Sequence, residues 1–257
     1  MTTGRTLKRW TRVYVDGYDF SGYTREVGPL SIVSPEVEQV GLSDSVRGAL
    51  PDLPEVTMGT LNAIFSSDTG AHVQAVLGVP GVSRDVMIPI GIQAAPAQGD
   101  PVFMGAFNHN GFVLSPSGGD MALTVPFGRT SPAEGMTYSN PWGVLLHASS
   151  ATTGANTATG VDDRGAASSK GGWMMYQVFS VEGTGTLVIS IQDAAVNSNA
   201  SFADLSGATS GDIAHTAVPC SGIVKLSTTA TVRRYLRWQL SLTDITSATF
   251  ALSFVRG

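Results

Sequence analysis

The fold class is decided by the stretch Val102-Phe103-Met104-Gly105-Ala106-Phe107-Asn108-His109-Asn110-Gly111-Phe112-Val113-Leu114. Two apolar runs, 102–107 and 112–114, flank a polar segment that ends in Asn110-Gly111. Asn-Gly between apolar runs is a strong hairpin signal, because both residue types tolerate positive φ. The stretch therefore predicts two paired β-strands joined by a turn at 108–111.

Strand signals extend through most of the chain on both sides of this stretch. Residues 86–92 place apolar side chains at alternate positions, which is the period of a strand buried on one face. One short helix is predicted from Asp68, a suitable cap, to Gly78 and Pro80, which commonly end helices. Further strands are predicted at 12–15, 57–65, 121–127, 142–146, 173–179, 186–191, 222–226, 232–240 and 248–255. The sequence thus predicts an all-β protein.

A turn-rich break divides the chain into two parts. Residues 129–141 read Arg-Thr-Ser-Pro-Ala-Glu-Gly-Met-Thr-Tyr-Ser-Asn-Pro and hold few apolar side chains. We predict a β-sandwich or barrel domain with one short helix at 1–130, a linker at 131–141, and a second β-sandwich of jelly-roll or immunoglobulin-like type at 142–257. Domains with their own cores tolerate separation, so a chain ending near Ser131 is expected to fold.

Residues 34–55 lack a clear hydrophobic period and concentrate negative charge. This segment is either a long polar connection or a hairpin exposed on both faces. Long connections in compact domains are usually functional or disordered. We take its acidic residues as candidates for an assembly loop or a channel lining: Glu36, Glu38, Asp44, Asp52 and Glu55.

Composition and charge narrow the function classes. Charged residues make up 14% of the 257 residues, against about 25% in typical soluble domains; such depletion suits surface hidden in an assembly. Residues 1–138 hold 13 acidic and 8 basic residues, whereas 139–257 hold seven of each. This balance argues against general nucleic-acid binding, which needs a basic stripe. We interpret the basic cluster Arg5, Lys8, Arg9 and Arg12 as a solvated tail.

The sequence contains no convergent catalytic motif. The four histidines do not stand at metal-ligand spacing from one another or from a cysteine, and Gly-x-Ser-x-Gly and phosphate-loop motifs are absent. The single cysteine, Cys220, has no internal disulfide partner. We therefore predict no catalytic, cofactor or metal site, and no enzyme activity.

Four aromatic residues in the second half leave two interpretations open. Trp173, Tyr176, Tyr235 and Trp238 could form a platform for sugar stacking, or they could belong to a sandwich core. Trp173 and Trp238 are the candidate glycan contacts. The sequence has neither a secretory signal nor a run of about 20 apolar residues, so we expect synthesis in a cytoplasm and no membrane partner.

Several segments together resemble a known family. The opening Val13-Tyr14-Val15-Asp16-Gly17-Tyr18-Asp19-Phe20-Ser21-Gly22-Tyr23, the acidic segment after it, the strand at 57–65 and the single helix resemble a tail tube (major tail) protein of long-tailed bacteriophages. The second half resembles the C-terminal decoration domains of such proteins. That resemblance is carried by 187–193, 201–205, 231–237 and 248–257.

The resemblance implies a structural protein of a virion tail, made in the host cytoplasm. Its subunits would form rings, commonly hexameric, that stack into a tube and contact other tail proteins. Strands of adjacent subunits would form a continuous inner barrel, through which DNA passes without specific binding. Residues 36–54 would make contacts between subunits or rings, and the acidic first domain would line a channel that repels DNA. The alternatives are a capsid decoration protein and a carbohydrate-binding adhesion protein of a virion.

Overall fold

A computed structural model describes most of the chain. The described residues are 8–34, 36–39, 48–51, 55–65, 79–92, 94–130, 140–155, 160–162 and 165–257. The predicted helix from Asp68 to Gly78 and most of the predicted linker at 131–141 lie outside these ranges.

The all-β fold class is confirmed, since the described residues form nineteen strands and three 3₁₀ turns. The strands before the predicted linker are β1 Tyr14–Val15, β2 Tyr18–Asp19, β3 Thr24–Val27, β4 Leu30–Val33, β5 Glu36–Gln39, β6 Gly48–Pro51, β7 Glu55–Met58, β8 Thr60–Ile64, β9 Ser83–Pro89, β10 Pro101–His109, β11 Val113–Ser117 and β12 Asp120–Thr130. Those after it are β13 Trp142–Thr152, β14 Val161–Asp162, β15 Gly172–Ala194, β16 Ala203–Thr209, β17 Ile213–Ala214, β18 Cys220–Lys225 and β19 Tyr235–Arg256. The 3₁₀ turns are Lys8–Trp10, Asn199–Ser201 and His215–Ala217.

The hairpin predicted at 102–114 is wrong in its turn, although both of its strands exist. β10 and β11 do not pair with each other: both run antiparallel to β12, one after the other. The backbone N–H of Asn110 still donates to the Pro126 carbonyl at 3.1 Å. The chain therefore continues along β12 past Asn110-Gly111. It reverses instead at Gly118 and Gly119, whose φ values are +68° and +146°. Glycine adopts positive φ values without the strain that a Cβ would cause, so two glycines allow a tight turn here.

The described residues within 34–55 lie on a long hairpin, and a hairpin is one of the two forms expected for this segment. β3, β4 and β5 run antiparallel to β8, β7 and β6 respectively. Gly28 and Gly59 face each other where the hairpin kinks, and a Cβ on Gly28 would lie 2.7 Å from the Thr60 nitrogen. β5 and β6 form a separate two-stranded sheet. We call β4, β5, β6 and β7 the arm.

The first half is organised around one core and two groups of strands. β1 pairs with β2 and β9, and β9 pairs with β10. The predicted turn at Asp16-Gly17 is confirmed between β1 and β2, with positive φ at both residues. A second group has the strand order β3–β8–β12–β11. Side chains from both groups fill one apolar cluster that includes Val15, Leu61 and Phe107.

The second half is built on one long ribbon. β15 and β19 pair from Gly172–Arg256 to Ala194–Tyr235, with register shifts near Gly183, whose φ is +122°. Such bulges bend a ribbon and increase its twist. Because of the bend, Val178 and Ile189 from opposite ends of β15 join the same apolar cluster. β13 flanks β19, while β16, β17 and β18 flank β15.

The two halves share a third apolar cluster. Its buried members are Tyr14, Met87, Val102 and Met104 from the first half, and Leu145, Trp173, Met175, Ala251 and Val255 from the second. β10 also pairs directly with β13. The predicted boundary at 131–141 stays a prediction, but the shared cluster makes the halves interdependent.

A buried glutamine reinforces this junction. The Gln177 side chain is fully buried; its Oε1 accepts from the Gly17 amide at 2.5 Å and its Nε2 donates to the Asp85 carbonyl at 3.1 Å. The Ser221 hydroxyl donates to the Asp85 carboxylate at 2.8 Å. Buried backbone groups left without such partners cost about 1–3 kcal/mol each, so these contacts fix how the halves meet.

Candidate assembly surface

In the part of the chain that the structure describes, the sheet β3–β8–β12–β11 has an open edge on each side. Among the described strands, β11 pairs only with β12, and β3 pairs only with β8. One face of the sheet is anchored to the first-half core through Leu61, Leu123 and Val125. An open edge presents unpaired N–H and C=O groups to which another strand can bind.

The β11 edge is apolar. Val113 is 59% exposed and Leu114 is 39% exposed, and the neighbouring Phe112 and Met121 are also exposed. β11 contains no charged residue, although charge is a common device against unwanted pairing. Pro116 lacks an N–H, which leaves Val113 to Ser115 as the part of the edge with the most hydrogen-bonding groups.

The opposite edge and the outward face of the sheet are polar. Arg25 on β3 forms an ion pair with Asp120 at the start of β12. The Asn62 amide donates to Glu26 at 3.5 Å and accepts from the Thr124 hydroxyl at 3.2 Å. These side chains cross three strands, so one face of the sheet is apolar and packed while the other is hydrophilic.

The structure describes three of the five predicted acidic candidates, and it places them on the arm. Glu36 begins β5 and is exposed, Glu38 also lies on β5, and Glu55 begins β7 and is half-buried. Asp44 and Asp52 lie outside the described residues. The arm also carries the exposed apolar side chains Ile32 and Val33, which the sequence analysis did not single out.

Of the two tryptophans proposed as glycan contacts, Trp173 belongs to the interior and Trp238 is half-buried. Trp173 is 1% exposed and lies in the cluster shared by the two halves, so it has no free face on which a sugar could stack. Trp238 packs against the second-half core, edge-on to His147 at a centroid distance of 4.8 Å. The pattern of alternating residues could not show which face of a strand another sheet would cover.

His147 is a buried titratable group in the second-half core. Its ring stacks on Phe250 at 4.1 Å, and Nδ1 donates to the Phe250 carbonyl at 3.0 Å. Nε2 then accepts from the Thr152 hydroxyl at 3.1 Å. Desolvation by burial lowers the pKa of His147 to about 4, opposed by the hydrogen bond to Phe250. The fold therefore favours the neutral imidazole.

Acidification is expected to destabilise the protein through His147. Its pKa is 6.5 when exposed and about 4 in the fold, so the unfolded chain takes up the proton first as the pH falls below 6.5. Above pH 6.5, neutral His147 makes its full contribution to the free energy of unfolding. This contribution is lost as the pH falls towards 4, and it amounts to about 3 kcal/mol at 1.36 kcal/mol per pKa unit. Urea unfolding at pH 7 and pH 4.5 gives the free energy of unfolding that each protein loses on acidification. This loss should be about 2–3 kcal/mol smaller for His147→Gln than for the unaltered chain. Equal losses in both proteins would contradict this prediction.

The described residues offer little other reactive chemistry. Burial raises the pKa of the Cys220 thiol to about 11, which disfavours the nucleophilic thiolate at neutral pH. Within the described ranges, no group of three or more His, Cys, Asp or Glu side chains is arranged to hold a metal ion. No helix among these residues has the length and apolar character needed to span a membrane.

The sequence analysis missed the open apolar edge at β11. It assigned Val113 and Leu114 to a hairpin partner of β10, whose pairing would have covered them. The signal that could have revealed the edge is the Gly118-Gly119 pair, because a reversal there pairs β11 with β12.

Comparison with known proteins gives little information. No family model matches the sequence. No curated protein matches it. Among solved structures, the chain is similar to the Dit protein (gp 19.1) of SPP1, with 14% sequence identity and a TM-score of 0.32, over 95% of this chain and 98% of that one. That protein is described as a paradigm of the hub adsorption apparatus in phages that infect Gram-positive bacteria. At so low a TM-score, no conclusion about this chain follows from the similarity.

Proposed function

We propose that this chain is a structural protein of a bacteriophage tail, and more specifically a subunit of rings that stack into the tail tube. The observation that carries the proposal is the sheet β3–β8–β12–β11, whose two edges are open among the described strands, with exposed apolar residues on β11. The resemblance of the sequence to tail tube proteins supports the same conclusion. The proposal includes no catalytic role.

The two edges suggest how a ring would form. β11 and β3 are different surfaces on opposite sides of one sheet, so pairing β11 of one copy with β3 of the next gives a heterologous contact. Such a contact closes into a ring when its rotation permits. The sheets of successive copies would then join into one continuous barrel that buries Leu114, which pairs with the core residue Leu123, and that leaves no open edge in the sheet.

The remaining surfaces fit a conduit. The hydrophilic face that carries Glu26, Asn62 and Thr124 would line the channel, and the first 138 residues hold more acidic than basic residues. Repeated around a ring, this excess gives a negative field that is screened only over about 8–10 Å at physiological salt. DNA would pass without specific binding. The arm would contact neighbouring copies, and other tail proteins would bind the ends of the tube.

Light scattering and negative-stain microscopy of the purified chain test the proposal. We expect rings or tubes whose proportion rises with protein concentration. A chain that stays monomeric at every concentration, including after addition of preformed tail ends as initiators, would contradict the proposal. Single globular particles bound to capsids would instead favour the decoration protein, and binding to a glycan array would favour the adhesion protein.

A further inference from the structure

The first half contains an open cleft of about 770 Å³ beside the base of the arm. The apolar part of its lining, which we call the floor, includes Val27, Leu30 and Ile88. The volume lies within the 300–1,000 Å³ range of typical ligand sites. A space of this size accepts a few side chains or a short segment.

The rim of the cleft carries part of the basic cluster that the sequence analysis interpreted as a solvated tail. Arg9 is exposed and its guanidinium lies 5.2 Å from the centre of the Trp10 ring. Arg12 is half-buried and donates to the carbonyls of Arg9 and Thr11, each at 3.2 Å. Both arginines line the cleft, together with Glu26. The rim is therefore net positive above an apolar floor.

The arm has the complementary pattern. Ile32 and Val33 on β4 are 42% and 52% exposed. They are followed within five residues by Glu36, which is exposed, and Glu38 on β5. The exposed apolar residues of the arm match the apolar floor of the cleft in hydrophobicity. The carboxylates beside them match the basic rim in charge.

We propose that the cleft binds the arm of a second copy of this chain, with Ile32 and Val33 over the apolar floor and the carboxylate of Glu36 against Arg9 and Arg12. The inference rests on the proposed self-assembly and names the surface that receives the arm. The contact joins two different surfaces, so it can be repeated from copy to copy. It gives the basic cluster a partner and covers the exposed apolar side chains of the arm.

Charge reversal tests this pairing. The rim variant is Arg9→Glu with Arg12→Glu, the arm variant is Glu36→Arg, and the combined variant carries all three changes. We expect the rim and arm variants each to raise the protein concentration needed for assembly about tenfold or more, because like charges would then face each other. The combined variant should regain most of the assembly. Sedimentation and microscopy give the assembled fraction.

Two controls make the result specific. Lys225→Glu reverses an exposed charge on β18 in the second half and should leave assembly unchanged. Thermal unfolding should show that every variant keeps the stability of the unaltered chain. Assembly of the rim variant at the normal concentration, or no recovery in the combined variant, would overturn the inference while the proposed function stands. Failure of the unaltered chain to assemble would overturn both.

Discussion

A chain that ends at Thr130 is expected to lose its soluble fold. The cut removes the second-half side of the shared cluster and exposes Tyr14, Met87, Val102 and Met104, each at most 3% exposed in the whole chain. Burial of such side chains contributes about 1.5–3 kcal/mol each. The loss is therefore comparable with the whole stability of a domain, about 5–15 kcal/mol.

Hydrogen bonding adds to the expected effect of this truncation. Without Gln177, the Gly17 amide and the Asp85 carbonyl lose side-chain partners, and β10 loses its pairing with β13. Expression of residues 1–130 alone should give insoluble or molten material by circular dichroism. Co-expression with 140–257 should restore a soluble complex. A soluble 1–130 fragment with cooperative unfolding would contradict the expected loss of the fold. It would confirm the separable first domain that the sequence predicts.

Substitution of Leu114 by lysine is expected to weaken ring formation strongly without unfolding the subunit. Leu114 is 39% exposed, so the ammonium of a lysine there can reach solvent in the monomer. Leu114 pairs with Leu123 and therefore lies on the packed face of the sheet. At a strand-to-strand contact between copies, the lysine would be desolvated against the partner strand, and lysine at a sheet edge is one of the ways in which natural sheets prevent pairing. We expect at least a tenfold increase in the concentration required for assembly, equivalent to about 1.4 kcal/mol per contact.

Val196→Lys is the matched control for this substitution. Val196 is 62% exposed and lies in the loop after β15, outside the open-edged sheet. Sedimentation velocity should show assemblies for the unaltered chain and for Val196→Lys, and monomers for Leu114→Lys at the same concentration. Equal assembly of the two variants would exclude β11 from the interface. Loss of assembly in both would indicate a general effect of added positive charge.

The sequence predicted local structure better than strand pairing. The strand at 86–92 and the Asp16-Gly17 turn are predicted from neighbours along the chain; the turn is confirmed, and a strand is present as β9. Burial of this strand on one face only is wrong, because Val86 and Ile88 pack in the first-half core while Met87 packs in the cluster shared by the two halves. Two nearby segments, Asn110-Gly111 and Gly118-Gly119, both have turn chemistry, and local preference does not decide between them. The choice depends on β12, which pairs with both β10 and β11 through contacts distant in sequence.

The candidate site was predictable only in part. The acidic segment stands out by charge, and the structure places Glu36, Glu38 and Glu55 on the arm. The burial of Trp173 could not be predicted from the sequence. Both faces of β15 are covered near that residue, one by the second-half core and the other by the first half. The open edge at β11 followed from topology, which no single segment encodes.

Hydrogen exchange of the backbone amides, followed by mass spectrometry, tests the central claim most directly. The amides of β11 (Val113–Ser117) and β3 (Thr24–Val27) would be compared between monomers and assembled particles. If β11 pairs with β3 of the next copy, both strands should exchange at least about tenfold more slowly after assembly, because protection reports the free energy of opening the new hydrogen bonds. The loop around Val196 should exchange at the same rate in both states. Assembled particles in which β11 and β3 exchange as fast as in the monomer would contradict the proposed edge-to-edge ring.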